Sequence, residues 1–151
     1  MDAYLLLKFV HVSLAIVAVG ANLTYGIWLN RAERDPQHLA YVLRTVKLLD
    51  QRVANPSYGL LLVTGLALAW IGSIPYETFW IAASLALYLV AVAVGIVLYA
   101  PVIRRQLELA SAGQAGTPAY RAVAARGRAM GVITGVVVIA IVFLMVVKPA
   151  L

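Results

Sequence analysis

The chain contains no cysteine and only two histidines. Without thiols there is no disulfide, no thiolate metal site and no cysteine nucleophile. Charge is scarce too, and its scarcity is organised. No Asp, Glu, Lys or Arg falls between Phe9 and Asn30, between Val53 and Tyr76, between Thr78 and Ile103, or between Ala129 and Val147. A hydrocarbon core roughly 30 Å thick is crossed by about 20 apolar residues of helix, and each run is long enough. What fills them is apolar: 64% of residues are hydrophobic, 12% are charged, and mean hydropathy is +0.93. That composition lies outside the soluble range. The pattern predicts a single all-α domain over residues 1–151, a polytopic four-helix up-down bundle with spans at about 3–30, 53–72, 78–103 and 128–148.

The opening apolar run has a small-x-small pattern at Ala18-Val19-Gly20, as a signal peptide would. Asp2 in its first residues and a run longer than a signal-peptide core favour a retained span. The net charge of +6 does not point to nucleic acid, because the basic residues cluster in connections between spans. Arg31, Arg34, Arg44, Lys47 and Arg52 occupy the first connection, and Arg104, Arg105, Arg121, Arg126 and Arg128 the third. The second, Gly72 to Glu77, has no basic residue. The positive-inside rule therefore predicts cytoplasmic first and third connections in an inner (cytoplasmic) membrane, with both termini outside. Trp28, Trp70 and Trp80 fall at span ends, where amphipathic rings sit at the interface.

The connections carry structure of their own. Asp35-Pro36 reads as a helix N-cap and first residue, and Leu39, Val42, Leu43, Val46 and Leu49 follow at helical spacing. This predicts a cytoplasmic amphipathic helix between spans one and two, lying on the membrane or capping the bundle. Thr117-Pro118 restarts a helix that runs unbroken into span four, and Pro101 ends or kinks span three.

Within lipid, polar and small residues turn toward the protein interior. Tyr4, Lys8, His11, Ala15, Ala18, Asn22 and Tyr25 follow steps of four and three along one stripe of span one. Tyr58, Thr64 and Gly65 lie on the matching stripe of span two, and Ser84, Tyr88 and Gly95 on that of span three. Span four carries Gly127, Gly131 and Gly135, a small-xxx-small ladder that serves plain packing or a close contact with a second copy or larger membrane complex. His11 is an ionisable residue at membrane depth. It either satisfies itself on Asn55, Tyr58, Ser84 or Tyr88, or serves as a ligand. Lys8, one turn outward, either snorkels to the interface or contacts an anion.

The opening Leu7-Lys8-Phe9-Val10-His11, the stretch from Pro56 to Thr64-Gly65 and the closing Val147-Lys148-Pro149 resemble bacterial four-helix predicted integral membrane proteins of unknown function. Through them the chain is distantly similar to HemJ-type protoporphyrinogen oxidases and CopD-type membrane proteins. The resemblance implies b-type haem with His11 as axial ligand and metal contact. From the helix faces, Lys8 is a candidate contact for a haem propionate or a lipid headgroup, and Asn22, Tyr58 and Tyr88 face the same interior as candidate cofactor-binding residues. Any enzymatic activity would be that of an oxidoreductase. A copper path has little to use, since Met145 is the one methionine deep in a span. Two functions follow as expectations: a redox protein holding haem, porphyrin or quinone on the His11 face, or a non-catalytic accessory subunit packing through small-residue helix faces. A proton-coupled transporter lacks relay groups, because no uncharged run contains an acid.

Overall fold

The computed structural model describes residues 2–149, which form four long helices joined by short connections. The first is α1 (Ala3–Ala32), capped by the Asp2 carboxylate accepting from the Tyr4 N–H at 3.1 Å. The second runs from Pro36 to Ile71 as α2 (Pro36–Leu49), a π turn (Asp50–Ala54) and α3 (Asn55–Ile71). The third runs from Phe79 to Ser111 as α4 (Phe79–Ala93), a second π turn (Val94–Tyr99) and α5 (Ala100–Ser111). The fourth is α6 (Pro118–Val147), whose Thr117 cap accepts from the Tyr120 N–H at 3.2 Å. At 1.5 Å per residue a 30-residue helix is about 45 Å long, so α1 and α6 outreach the hydrocarbon core.

The amphipathic segment is present as α2, but it runs straight into span two rather than lying apart from it. The π turns explain how. Pro56 and Pro101 each stand two residues past a π turn, ending at Ala54 and Tyr99 respectively. Proline lacks the N–H of an α-helical bond and crowds the carbonyl one turn back; the wider turn takes up that defect, so the helix bends and continues. Asp35 caps α2 as read, although its carboxylate accepts from His38 Nδ1 at 2.8 Å instead of from the first-turn backbone.

The spans pack in pairs. α1 lies antiparallel along α3: Tyr4 lies beside Gly72, His11 beside Thr64 and Gly65, and Ala18 and Asn22 beside Tyr58. α4 lies along α6, closed at the end bearing both termini by Lys148 Nζ, 5.2 Å from the Trp80 ring centre. Between the pairs, α3 and α4 do not pack closely, and the Tyr88 hydroxyl reaches across to the Tyr58 carbonyl at 3.0 Å.

The interior changes character along the bundle axis. At membrane depth most buried positions are small or polar (Ala18, Ser57, Thr64, Ala69, Ser84), with Tyr25 and Ile81 the larger exceptions, while Phe9, Ile16, Ile27, Val132, Val136 and Phe143 face outward. At the arginine-rich end the order reverses, and Ala32, Leu39, Leu43, Ile103, Leu109, Tyr120 and Ala124 form an aliphatic core. Lipid gives no hydrophobic drive to bury Leu, whereas water beyond the membrane does.

Candidate functional site

α1 presents Tyr4, His11, Ala18, Tyr25 and Ala32 to its neighbours, one residue in seven, so the inward stripe read from the sequence is the stripe that packs. His11 Nδ1 lies 2.8 Å from Thr64 Oγ1. The Thr64 hydroxyl has one proton, and it donates that proton to the Leu60 carbonyl at 2.7 Å, its own preceding turn. With that proton on Leu60, Thr64 accepts from the Nδ1–H tautomer of the imidazole, which leaves the Nε2 lone pair over. Nε2 makes no hydrogen bond among the described residues. The Cε1 edge of the ring meets Gly65, where a Cβ would stand 3.1 Å from His11 Cε1. Thr64 and Gly65 thus position the imidazole against α3.

The other expected site residues form a separate knot. Asn22 Nδ2 donates to Tyr58 Oη and, at 3.3 Å, to the Ala18 carbonyl, and Tyr88 Oη donates to the Tyr58 carbonyl. This knot lies a further seven to eleven residues along α1 from His11, roughly 10–16 Å at 1.5 Å per residue. Its hydroxyls and amide are largely spent on one another. Lys8 is exposed at the outer surface of α1, with no partner among the described residues. The structure therefore joins His11 to Thr64 and Gly65, and keeps Asn22, Tyr58 and Tyr88 together one level deeper. Gly127, in the ladder of span four, packs against Val102 and Gln106 of α5, while Gly131 and Gly135 have open space where a Cβ would go.

Asp50 is the residue that the charge pattern hid. It opens the first π turn, three residues before the uncharged run begins at Val53. Asn55 binds it twice, backbone N–H to carbonyl and, at 3.2 Å, side-chain amide to carboxylate. Its carboxylate is close enough to act through space on Tyr25, Tyr58 and Tyr99, and the Tyr25 hydroxyl is buried without a hydrogen-bond partner. The available signal was an acid followed five residues later by Asn-Pro inside a helical pattern. Burial pushes the Asp50 carboxyl above its ordinary value, and the Asn55 hydrogen bond opposes that in part. A raised folded value means folding favours the protonated acid. The contribution is fully present below the unfolded value and is lost as pH climbs through the folded one. Thermal unfolding in detergent should accordingly show stability falling from acidic to neutral pH. Asp50→Asn should remove that slope and be at least as stable as wild type at neutral pH. A variant that keeps the slope would assign it to another group.

Among the described residues no group of three or more His, Cys, Asp or Glu is placed to hold a metal ion. A single imidazole does not make a zinc or copper site, which takes three or four protein donors, but it is the donor set haem iron uses. No curated protein and no solved structure matches the chain. The family described as "Predicted integral membrane protein (DUF2269)" matches residues 5–149, almost the entire length, and the protein is a member of that family.

Proposed function

We propose that this membrane protein binds a b-type haem on the His11 face and works in electron transfer. The observation that supports the reading is His11 at membrane depth with Nδ1 2.8 Å from Thr64 Oγ1, a hydroxyl that itself donates to Leu60, and with no hydrogen bond at Nε2 among the described residues. A histidine ligand to a metal typically donates its other N–H to a fixed acceptor, which sets tautomer and basicity. Thr64 occupies that place, and Gly65, lacking a Cβ, leaves room for the Cε1 edge of the ring against α3. A porphyrin without iron, or a quinone, would use the same face differently. A quinone carbonyl needs a donor, and the neutral Nε2 is an acceptor, so the tautomer favours haem or a quinol hydroxyl. Haem would supply one-electron chemistry; His11 would be the axial ligand and Lys8 a propionate contact near the interface. The visible spectrum of protein purified from haem-replete cells tests this directly. Preparations that stay colourless after haem reconstitution would sink it.

A second reading is favoured by Gly131 and Gly135, which leave open backbone on α6. As a non-catalytic accessory subunit, the protein would dock that strip against a helix of a larger membrane complex or a second copy. Co-purification of such a complex with colourless protein is the outcome it expects.

For sidedness, our reading is that the arginine-rich end faces the cytoplasm across the inner membrane and both termini lie outside. Of the 12 basic residues only Lys8 and Lys148 sit at the opposite end, which supports this. Reporter fusions at Gly113 should register as cytoplasmic and fusions after Leu151 as external. The reverse pattern would refute the assignment.

A further inference from the structure

We infer that the cleft between the end of α1 and the start of α6 binds a phosphate group, carried by an anionic phospholipid headgroup or free in solution. The cleft has a volume of about 270 Å³ and is lined by Glu33, Gly116, Tyr120, Arg121, Ala124 and Arg128. Its level in the membrane follows from sequence, because Arg128 immediately precedes the uncharged run Ala129–Val147. That is headgroup depth, where basic pockets between helices meet lipid phosphates.

Tyr120 is the side chain that points to a ligand. It is 3% exposed and packs in the aliphatic core, yet it lines the cleft, and its hydroxyl has no hydrogen-bond partner among the described residues. Unlike the Tyr25 hydroxyl it is not sealed from outside. A buried phenol kept in its protonated form is a hydrogen-bond donor seeking an oxygen.

The cations around it divide the work. Arg128 Nη1 donates to both Glu33 carboxylate oxygens, at 2.9 and 2.6 Å. That bond neutralises Glu33 and immobilises the guanidinium, whose Nη2 and Nε donors remain available. Arg121 has no ion-pair partner among the described residues and supplies the net positive charge of the cleft. The N-terminus of the 30-residue α6 opens beside it, adding its partial positive charge. An ionised phosphate offers several acceptor oxygens to match these donors. Ala124 and Gly116 leave room for it, with Gly116 at φ +78°, where a side chain would be strained.

The test uses full-length protein in neutral detergent, scored by native mass spectrometry for retained lipid and by thermal unfolding. Phosphatidylglycerol, phosphatidylcholine and inorganic phosphate are added separately. Wild type should retain phosphatidylglycerol and be stabilised by it in preference to phosphatidylcholine. Arg121→Gln and Tyr120→Phe should each weaken retention by about tenfold, the loss of one hydrogen bond to a charged group. Tyr120→Phe keeps the ring in the core, so folding is preserved. Arg105→Gln is the control, since that residue pairs with Glu108 on α5 outside the cleft. Equal stabilisation by inorganic phosphate would identify free phosphate as the ligand, and stabilisation by lipid alone the headgroup. The proposal is overturned if Arg105→Gln weakens retention as much as Arg121→Gln, if Tyr120→Phe has no effect, or if neither phosphate source binds.

Discussion

Replacing His11 with alanine should abolish the Soret band of protein purified from haem-replete cells, or shift it with loss of most of the haem. Neutral imidazole is a strong axial donor to iron, and removing it changes both spin state and retention. The fold should survive, because the substitution deletes a polar group from membrane depth and leaves the Thr64 hydroxyl bonded to Leu60. Two further variants separate ligation from mere proximity. Thr64→Val removes the acceptor that fixes the Nδ1–H tautomer but leaves the imidazole in place. Loss of such an outer-shell partner typically costs about 10- to 100-fold in metal affinity. Gly65→Val attacks from the other side. Its Cβ would already meet His11 Cε1 at 3.1 Å, so the branched side chain must push the ring away from α3. Its spectrum should approach that of His11→Ala although no ligand atom has been deleted. Lys8→Ala should cost less, since an exposed propionate contact is partly solvated. A Soret band unmoved by His11→Ala would take the iron off this residue altogether.

The parts of this architecture that the sequence disclosed are those set by solvent. Charge cannot enter lipid cheaply, so the uncharged runs marked the spans. Small and polar residues turn inward there, so the stripe through Tyr4, His11, Ala18 and Tyr25 could be read from spacing alone. What spacing cannot supply is register between helices. His11 meets Thr64, rather than Asn55, Tyr58, Ser84 or Tyr88, because the α1–α3 pairing sets Tyr4 at Gly72 and Ala18 at Tyr58. Nothing within span one encodes that offset. Lys8 fits the same four-and-three steps and is nevertheless exposed, since periodicity gives a direction around the helix and not the reach of a neighbour. Asp50 escaped for a different reason. The spacing predicts helix α2 as an element apart from span two, so an acid just past its end carries no sign in the sequence of being drawn into the bundle. The π turn carries the helix on through Pro56 and brings Asp50 within electrostatic reach of Tyr25 and Tyr99.

The second large effect should come from the opposite end of the bundle, where Leu43→Ala is expected to destabilise the protein by about 2–5 kcal/mol. Leu43 is 1% exposed in the core formed by α2, α5, the end of α1 and the start of α6. That core extends past the hydrocarbon layer, so burying a leucine there gains the full hydrophobic free energy, and truncation adds the cost of a cavity. Ile16→Ala supplies the contrast. Ile16 is larger in exposed area, at 69%, but it faces lipid, which solvates a methyl group as readily as protein does. Its truncation should change stability by less than about 0.5 kcal/mol, the range of substitutions that leave packing untouched. The measurement is thermal or denaturant unfolding of both variants in one detergent, followed by limited proteolysis at the Gly113–Gly116 turn. Leu43→Ala should unfold earlier and be cut faster there. It should also keep the Asn22–Tyr58 and His11–Thr64 pairs, because α1 and α3 hold each other at membrane depth without help from the core. Equal losses from Leu43→Ala and Ile16→Ala would mean that the arginine-rich end is not the water-facing core on which the two pairs of spans are joined.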